Sequence, residues 1–229
     1  EGAAIVLHGL ADETTIAHAE KAVMAAGAAK VESYVSDLRD VAATEALIAK
    51  VLANGPVDIL CNNAGIQHTA TIEEMPREKW NDIIAINLSS YFDTMHLLLP
   101  QMKERGYGRV INTASVHGLV ASLAKAPYVA AKHGVVGLTK VAALEYASIG
   151  SVESGGVTVN AICPGFINSD MTKELSEDYL QKMRGVIPLG RLGNPEEIAG
   201  MTRFLALDES AEYITGHHFN VDGGLAIGC

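Results

Sequence analysis

Tyr128 and Lys132 stand four residues apart in the run Tyr128-Val129-Ala130-Ala131-Lys132, and Ser115 lies thirteen residues before the tyrosine. On a helix, positions i and i+4 share a face, so this spacing lets the Lys132 ammonium approach the Tyr128 phenol. A free phenol, with a pKa of about 10, is a poor base at neutral pH; a neighbouring cation favours the phenolate and brings it toward the working range. Ser115 closes an apolar run that reads as a strand, where its hydroxyl could hydrogen-bond a substrate oxygen. A set of this kind moves a proton on and off an oxygen bound to carbon. Amphipathic helices often carry a Tyr and a Lys four apart, so the pair alone decides nothing.

These side chains need elements to hold them. Short β-type runs at 3–7, 30–35, 57–61, 109–113, 157–162 and 217–221 alternate with helical patterns at 14–26, 41–53, 77–105, 127–147 and 195–207. A lid-like segment follows the fifth run. Strand and helix in strict succession imply βαβ units, right-handed crossovers and a parallel sheet covered on both faces, which is an α/β, Rossmann-type doubly wound fold. Asp37, Asp40 and Asn194 stand where helix N-caps are wanted, and Pro195 suits a first helical position. There is no internal repeat, low-complexity tract or Pro/Ser-rich linker, so 1–229 is expected to be one domain. The polar stretch Ser148 to Gly156 reads as a surface loop.

Composition narrows the function classes. The formal net charge of −10 offers no basic field to neutralise phosphates, which argues against nucleic-acid or anionic-membrane partners. The three cysteines, Cys61, Cys163 and Cys229, are not spaced as metal ligands or as a disulfide framework, so no metal is expected and a reduced, intracellular compartment fits. No run reaches the roughly 18 apolar residues of a membrane span, and the start lacks a signal pattern; the expectation is a soluble protein of the cytoplasm or an organelle matrix.

Further motifs join the first. Asn62-Asn63-Ala64-Gly65 follows an apolar strand, Asn87 sits in Ile86-Asn87-Leu88, and Pro164-Gly165 follows Asn160-Ala161-Ile162-Cys163. Asp37-Leu38 precedes them and Asn220-Val221-Asp222-Gly223-Gly224 closes the series. In this order the motifs resemble those of the short-chain dehydrogenase/reductase family across nearly the whole chain. The resemblance implies nicotinamide-dependent hydride transfer between a secondary alcohol and a ketone, with Asn87, Ser115, Tyr128 and Lys132 catalytic. By it, Asn87 holds a water that relays protons, and Lys132 also binds the nicotinamide ribose. It places Asp37 and Leu38 near the adenine, and Asn63, Ala64, Gly65, Thr113, Pro164, Gly165 and Ile167 along the rest of the cofactor, beside Tyr128 and Lys132. It also implies a homodimer or homotetramer built on the long helices and the last strand.

The family normally opens with a strand and a glycine-rich TGxxxGxG turn that holds the pyrophosphate. Neither is among the 229 residues, which start at what resembles the second strand. The expectation is a record shorter than the natural protein; the alternative is a cofactor-free family member serving as a structural subunit. In the order 3-2-1-4-5-6 the first strand bridges the halves of the sheet, so strands 2 and 3 are expected to lack a neighbour linking them to strand 4. Cofactor choice then rests on His8-Gly9-Leu10-Ala11-Asp12, where no Arg or Lys awaits a 2′-phosphate and no acid stands clearly at the strand end. NAD is expected, with NADP left open.

Within the family, the blocks around 62–70, 114–122 and 128–137 are similar to members acting on short 3-hydroxy acids such as 3-hydroxybutyrate. There the substrate carboxylate is held by a Gln, a His and a Lys, which correspond to Gln67, His117 and Lys125 here, with Phe166 facing the substrate and Ser115 on its oxygen. His117 lies two residues past Ser115 and Lys125 three before Tyr128, so each can offer donors to a small anion. The chain also departs from that pattern. Phe166 and Leu225 replace tryptophans, Leu175 falls where a lid glutamine is expected, and the short lid with Gly190 to Glu197 resembles 3-oxoacyl carrier-protein reductases. A 3-oxoacyl-thioester reductase is therefore the alternative substrate reading.

Overall fold

The computed structural model describes residues 2–150, 155–169, 172 and 176–227. The chain divides into two compact units, Glu1–Pro56 and Val57–Cys229.

In the first unit, strand β1 (Ala4–His8) leads into helix α1 (Glu13–Ala25), strand β2 (Lys30–Tyr34) and helix α2 (Val41–Ala53). The strands pair in parallel, with Ala4 opposite Lys30 and His8 opposite Tyr34. Helix α2 buries Thr44, Leu47, Ile48 and Val51, spaced as one helical stripe. Asp40 caps it by accepting the Ala43 N–H, as expected, and Asp12 does the same for α1 through Thr15, at 2.7 Å. Asp37 is not a helix cap. Its carboxylate takes the Arg39 backbone N–H at 2.9 Å and the Arg39 guanidinium, closing a tight turn before α2.

The second unit holds a four-stranded parallel sheet in the order β3 (Ile59–Asn62), β4 (Tyr107–Thr113), β5 (Gly156–Pro164), β6 (His218–Val221). The described strands thus form one two-stranded and one four-stranded parallel sheet. β4 and β5 are buried along most of their length, as strands covered on both faces are, and carry the buried polar residues Arg109, Asn112, Thr158 and Asn160 among their apolar ones. One face packs Val110, Val157 and Val159 against Met95, Leu99 and Met102 of helix α4 (Ser90–Arg105) and Ala142 and Ala143 of helix α5 (Ala126–Tyr146). On the other face, Ile111 and Ile162 meet Leu205 and Ala206 of helix α7 (Pro195–Leu207). This is the parallel, helix-flanked Rossmann architecture.

The single long helix expected from Arg77 to Arg105 is three pieces: α3 (Arg77–Ile84), a π-helical turn (Ala85–Ser89) and α4. The polarity pattern runs through the extra residue of the wider turn without a break, so periodicity does not reveal it. The lid-like segment contains helix α6 (Glu177–Val186), capped by Ser176. Leu175 lies outside the described residues.

A buried polar chain fastens the unit together just below the strand ends. Asn62 on β3 donates to the Asn112 side chain on β4 (3.0 Å) and accepts from Thr94 on α4 (2.8 Å). Asn112 in turn donates to Thr139 on α5 (3.0 Å). All four side chains are buried, so each lost bond leaves a polar group without water to replace its partner. Asn112→Leu, similar in size, strands both neighbours and is expected to cost about 2–4 kcal/mol in urea unfolding; a loss under about 0.5 kcal/mol would show the chain to be incidental.

Candidate active site

β4 delivers Thr113 to the carboxyl edge of the sheet, the edge at which open α/β sheets bind ligands. Ser115 follows in extended conformation, and its hydroxyl accepts the His117 N–H at 3.1 Å, opening a 3-10 turn at Val116–Gly118. That turn presses on α5: a Cβ at Gly118 would come within 2.7 Å of the Lys132 carbonyl oxygen, so only glycine lets the two segments approach this closely. Pro127 opens α5, placing Tyr128 in the first turn and Lys132 one turn on.

Lys132 is 3% exposed, and its ammonium donates to the Thr113 carbonyl at 2.5 Å. Nζ lies 5.8 Å from the centre of the Tyr128 ring and 5.3 Å from that of Tyr91. Burial pulls the ammonium down to about 8, with the Cys163 sulfur opposing. Burial likewise pushes the Tyr128 phenol up, and Ser115 draws it back. The expected depression of the phenol by Lys132 is not seen in this geometry, where burial is the largest influence and the ammonium is turned to the Thr113 carbonyl. Tyr128 is held as the protonated phenol, the form that donates.

Asn87 is fully buried in the π-turn, and both halves of its amide are spent on Ile66: Oδ1 accepts the Ile66 N–H (2.9 Å) and Nδ2 donates to the Ile66 carbonyl (2.8 Å). This side chain fixes the loop after β3. Gly65 faces inward there, where a Cβ would sit 3.8 Å from Lys132 Nζ. Thr113 Oγ1 donates to Asn63 Oδ1 at 3.2 Å, and the Ala64 carbonyl accepts the Tyr91 hydroxyl at 3.1 Å. Gly165 donates to the Val221 carbonyl and lies so close to Asp222 that a Cβ would meet its Cα at 2.7 Å. Ile167 is held in a bridge to Gly193. Asp37 and Leu38 belong to the first unit.

Of the expected substrate residues, His117 is edge-on to both Tyr128 and Phe166, with ring centres 6.3 Å apart in each case. Its Nδ1 is buried and has no hydrogen-bond partner among the described residues. Burial, then Lys125, then His133 bring its pKa down to about 4, so the ring is neutral at physiological pH. Lys125 is half-buried at the end of a loop that includes Ala124, whose φ of +57° is the one left-handed value among described non-glycine residues. That loop is tied to the loop after β3 by the Ala70 N–H, which donates to the Ala124 carbonyl at 3.0 Å. Gln67, half-buried, follows the anchored Ile66.

Tyr91 was not among the candidates. It is 1% exposed, and its hydroxyl donates to both the Ala64 and Thr113 carbonyls. The available signal was its position four residues after Asn87.

The residues present fit the nicotinamide end of a dinucleotide. The Lys132 ammonium has donors beyond the one given to Thr113, and the Gly65 turn puts no side chain in front of it. Among the described residues no group of three or more His, Cys, Asp or Glu is arranged to hold a metal, Cys61 and Cys163 are free, and no helix is long and apolar enough to cross a membrane.

Comparison with known proteins agrees with this geometry. A short-chain alcohol dehydrogenase family model described as enoyl-(acyl carrier protein) reductase matches residues 1–226. The D-beta-hydroxybutyrate dehydrogenase of Cupriavidus necator is 42% identical, over 98% of this chain and 88% of its own. The 3-oxoacyl-[acyl-carrier-protein] reductase FabG of Escherichia coli is 43% identical over 82% of this chain and 75% of its own. A gluconate 5-dehydrogenase from Burkholderia cenocepacia, solved with NADP and tartrate, superposes with a TM-score of 0.89 at 30% identity, over 100% of this chain and 87% of that one. The chain belongs to the short-chain dehydrogenase/reductase family and is an NAD(P)-dependent oxidoreductase of that type.

The His117 shift has a stability consequence. Its folded pKa of about 4 lies below the ordinary 6.5, so the unfolded chain takes the proton first; the stabilisation is complete above 6.5 and lost as pH falls toward 4. The melting temperature should fall across that window, and His117→Gln should flatten the fall; an unaltered slope in the variant would place the titration elsewhere.

Proposed function

We propose that this enzyme interconverts a short 3-hydroxy acid, such as 3-hydroxybutyrate, and its 3-oxo form with NAD as cofactor. When bound, the nicotinamide carries the hydride. In reduction Tyr128 gives its phenolic proton to the substrate carbonyl oxygen, and in oxidation it takes the proton back. Ser115 donates to the same oxygen as charge develops on it, and Lys132 stabilises the phenolate left behind while holding the nicotinamide ribose. Thr113, Asn63, Ala64, Gly65, Pro164, Gly165 and Ile167 border the cofactor.

The observation that carries the acid reading is the orphaned, buried Nδ1 of neutral His117, set against the Tyr128 ring and within electrostatic reach of Lys125. A buried polar atom without a partner calls for one from a ligand. With Gln67 and the Lys125 ammonium it supplies donors and positive charge to a carboxylate, while Phe166 walls the apolar end. For NAD speaks the lack of Arg or Lys from His8 to Asp12, with Arg39 folded onto Asp37. Exposed Phe92 on α4 and Val141 and Leu144 on α5 suit a homodimer or homotetramer. The second reading, a 3-oxoacyl-thioester reductase, draws on the FabG likeness.

Tyr128→Phe should lower kcat by about 10²–10⁴-fold or more while circular dichroism and cofactor titration stay unchanged; a variant keeping a tenth of the activity would remove the assignment. Lys125→Ala should raise KM for 3-hydroxybutyrate at least about tenfold with kcat little altered. Unchanged kinetics on the free acid, with good turnover of the thioester, would favour the second reading.

A further inference from the structure

Tyr91 is a buried aromatic residue that the mechanism above does not use. The Lys132 ammonium lies over its ring at 5.3 Å from the centre, and over the Tyr128 ring at 5.8 Å, so two aromatic rings face the charge. The Tyr91 hydroxyl donates to the Thr113 carbonyl at 3.2 Å, and the same carbonyl accepts Lys132 Nζ. Its second acceptor, the Ala64 carbonyl at 3.1 Å, belongs to the loop that carries Gly65. One side chain thus touches the ammonium, the acceptor of the ammonium and the turn in front of it.

A cation over a ring face is attracted by the quadrupole, and more strongly where water is excluded. Lys132 is such a case, since burial works against its charge. The groups facing it are Tyr91 from α4, Tyr128 from its own helix, Cys163 from β5 and the Thr113 carbonyl from β4; Asp222, after β6, acts on Cys163. The Tyr91 phenol is itself pushed up by burial and stays uncharged, so it contributes through its ring and its O–H.

We propose that Tyr91 is a positioning residue for catalysis: its ring keeps the Lys132 ammonium charged and seated beside Tyr128, while its hydroxyl fixes the Thr113 and Ala64 carbonyls around it. This rests on the assignment of Tyr128 and Lys132 as the proton-transfer pair. Once Lys132 loses its proton, the phenolate that reduction leaves behind is no longer stabilised. The alkaline limb of kcat/KM for reduction therefore reports the lysine in the free enzyme.

The experiment is the pH profile of kcat/KM for acetoacetate reduction, with Tyr91→Leu, Tyr91→Phe and trifluorophenylalanine at position 91 compared with the wild-type enzyme. Leucine removes the ring, and the alkaline limb should move down by about one pH unit. Phenylalanine keeps the ring and drops the hydroxyl: the limb should stay while the melting temperature falls, because two carbonyls lose a donor. Fluorination keeps the shape but weakens the quadrupole, so the limb should move down relative to phenylalanine even if the leucine variant does not fold. Limbs that coincide for the phenylalanine and trifluorophenylalanine variants would overturn the proposal, as would a wild-type limb in a folded leucine variant. Failure of the underlying assignment shows separately, as activity surviving in Tyr128→Phe.

Discussion

The organisation of the larger unit follows from one costly decision, a lysine ammonium taken almost completely out of water. Burial of an amine opposes its charge, so Lys132 persists as a cation only with support from several directions. A carbonyl comes from β4, one ring face from α4 and another from its own helix, and the approach of neighbouring backbone is so tight that Gly118 tolerates no side chain. Each supporting group belongs to a different element, and none can drift without exposing the charge to an unfavourable environment.

Polar residues also lie deep in the sheet, among its valines and isoleucines. Asn62, Asn112, Thr94 and Thr139 join β3, β4, α4 and α5, with Asn112 next in sequence to Thr113, whose carbonyl holds the ammonium. Apolar packing would bury as much area, but dispersion is weakly directional, whereas linked hydrogen bonds are sensitive to small displacements. Above them, the Asn87 amide does the same for the loop after β3, binding both polar groups of Ile66. The polar chain and the anchored loop lie beside Ser115, Tyr128 and His117, which the 3-10 turn and the first turn of α5 bring together. The neutral imidazole and the protonated phenol are products of the same dry environment.

Much of this was legible before any coordinates. The alternation of short apolar runs with helical patterns gave the parallel, doubly wound architecture, and helices α2 and α7 fall at the expected boundaries. The Tyr128, Lys132 and Ser115 spacing was legible because a helical repeat and a strand end translate directly into shared faces. Other features were hidden for physical reasons. A π-turn adds one residue without altering polarity, so the stretch 77–105 looked like one helix. Asp37 has the residue type of a cap but found a cation two positions on, a choice made by local geometry. Tyr91 was not singled out because its hydroxyl bonds to two main-chain carbonyls, which a sequence does not display. The direction of the Tyr128 shift depended on how much water the fold removes, a quantity that no spacing contains.

The Thr113 carbonyl receives both the Lys132 ammonium and the Tyr91 hydroxyl, yet it belongs to the main chain. Every amino acid carries the same oxygen, so the letter written at 113 says almost nothing about the electrostatic junction located there. Libraries that vary side chains will rate this position by the threonine hydroxyl and pass over the carbonyl. Its weight would emerge only through backbone chemistry, such as an ester in place of the following amide, which weakens the acceptor and leaves every side chain intact.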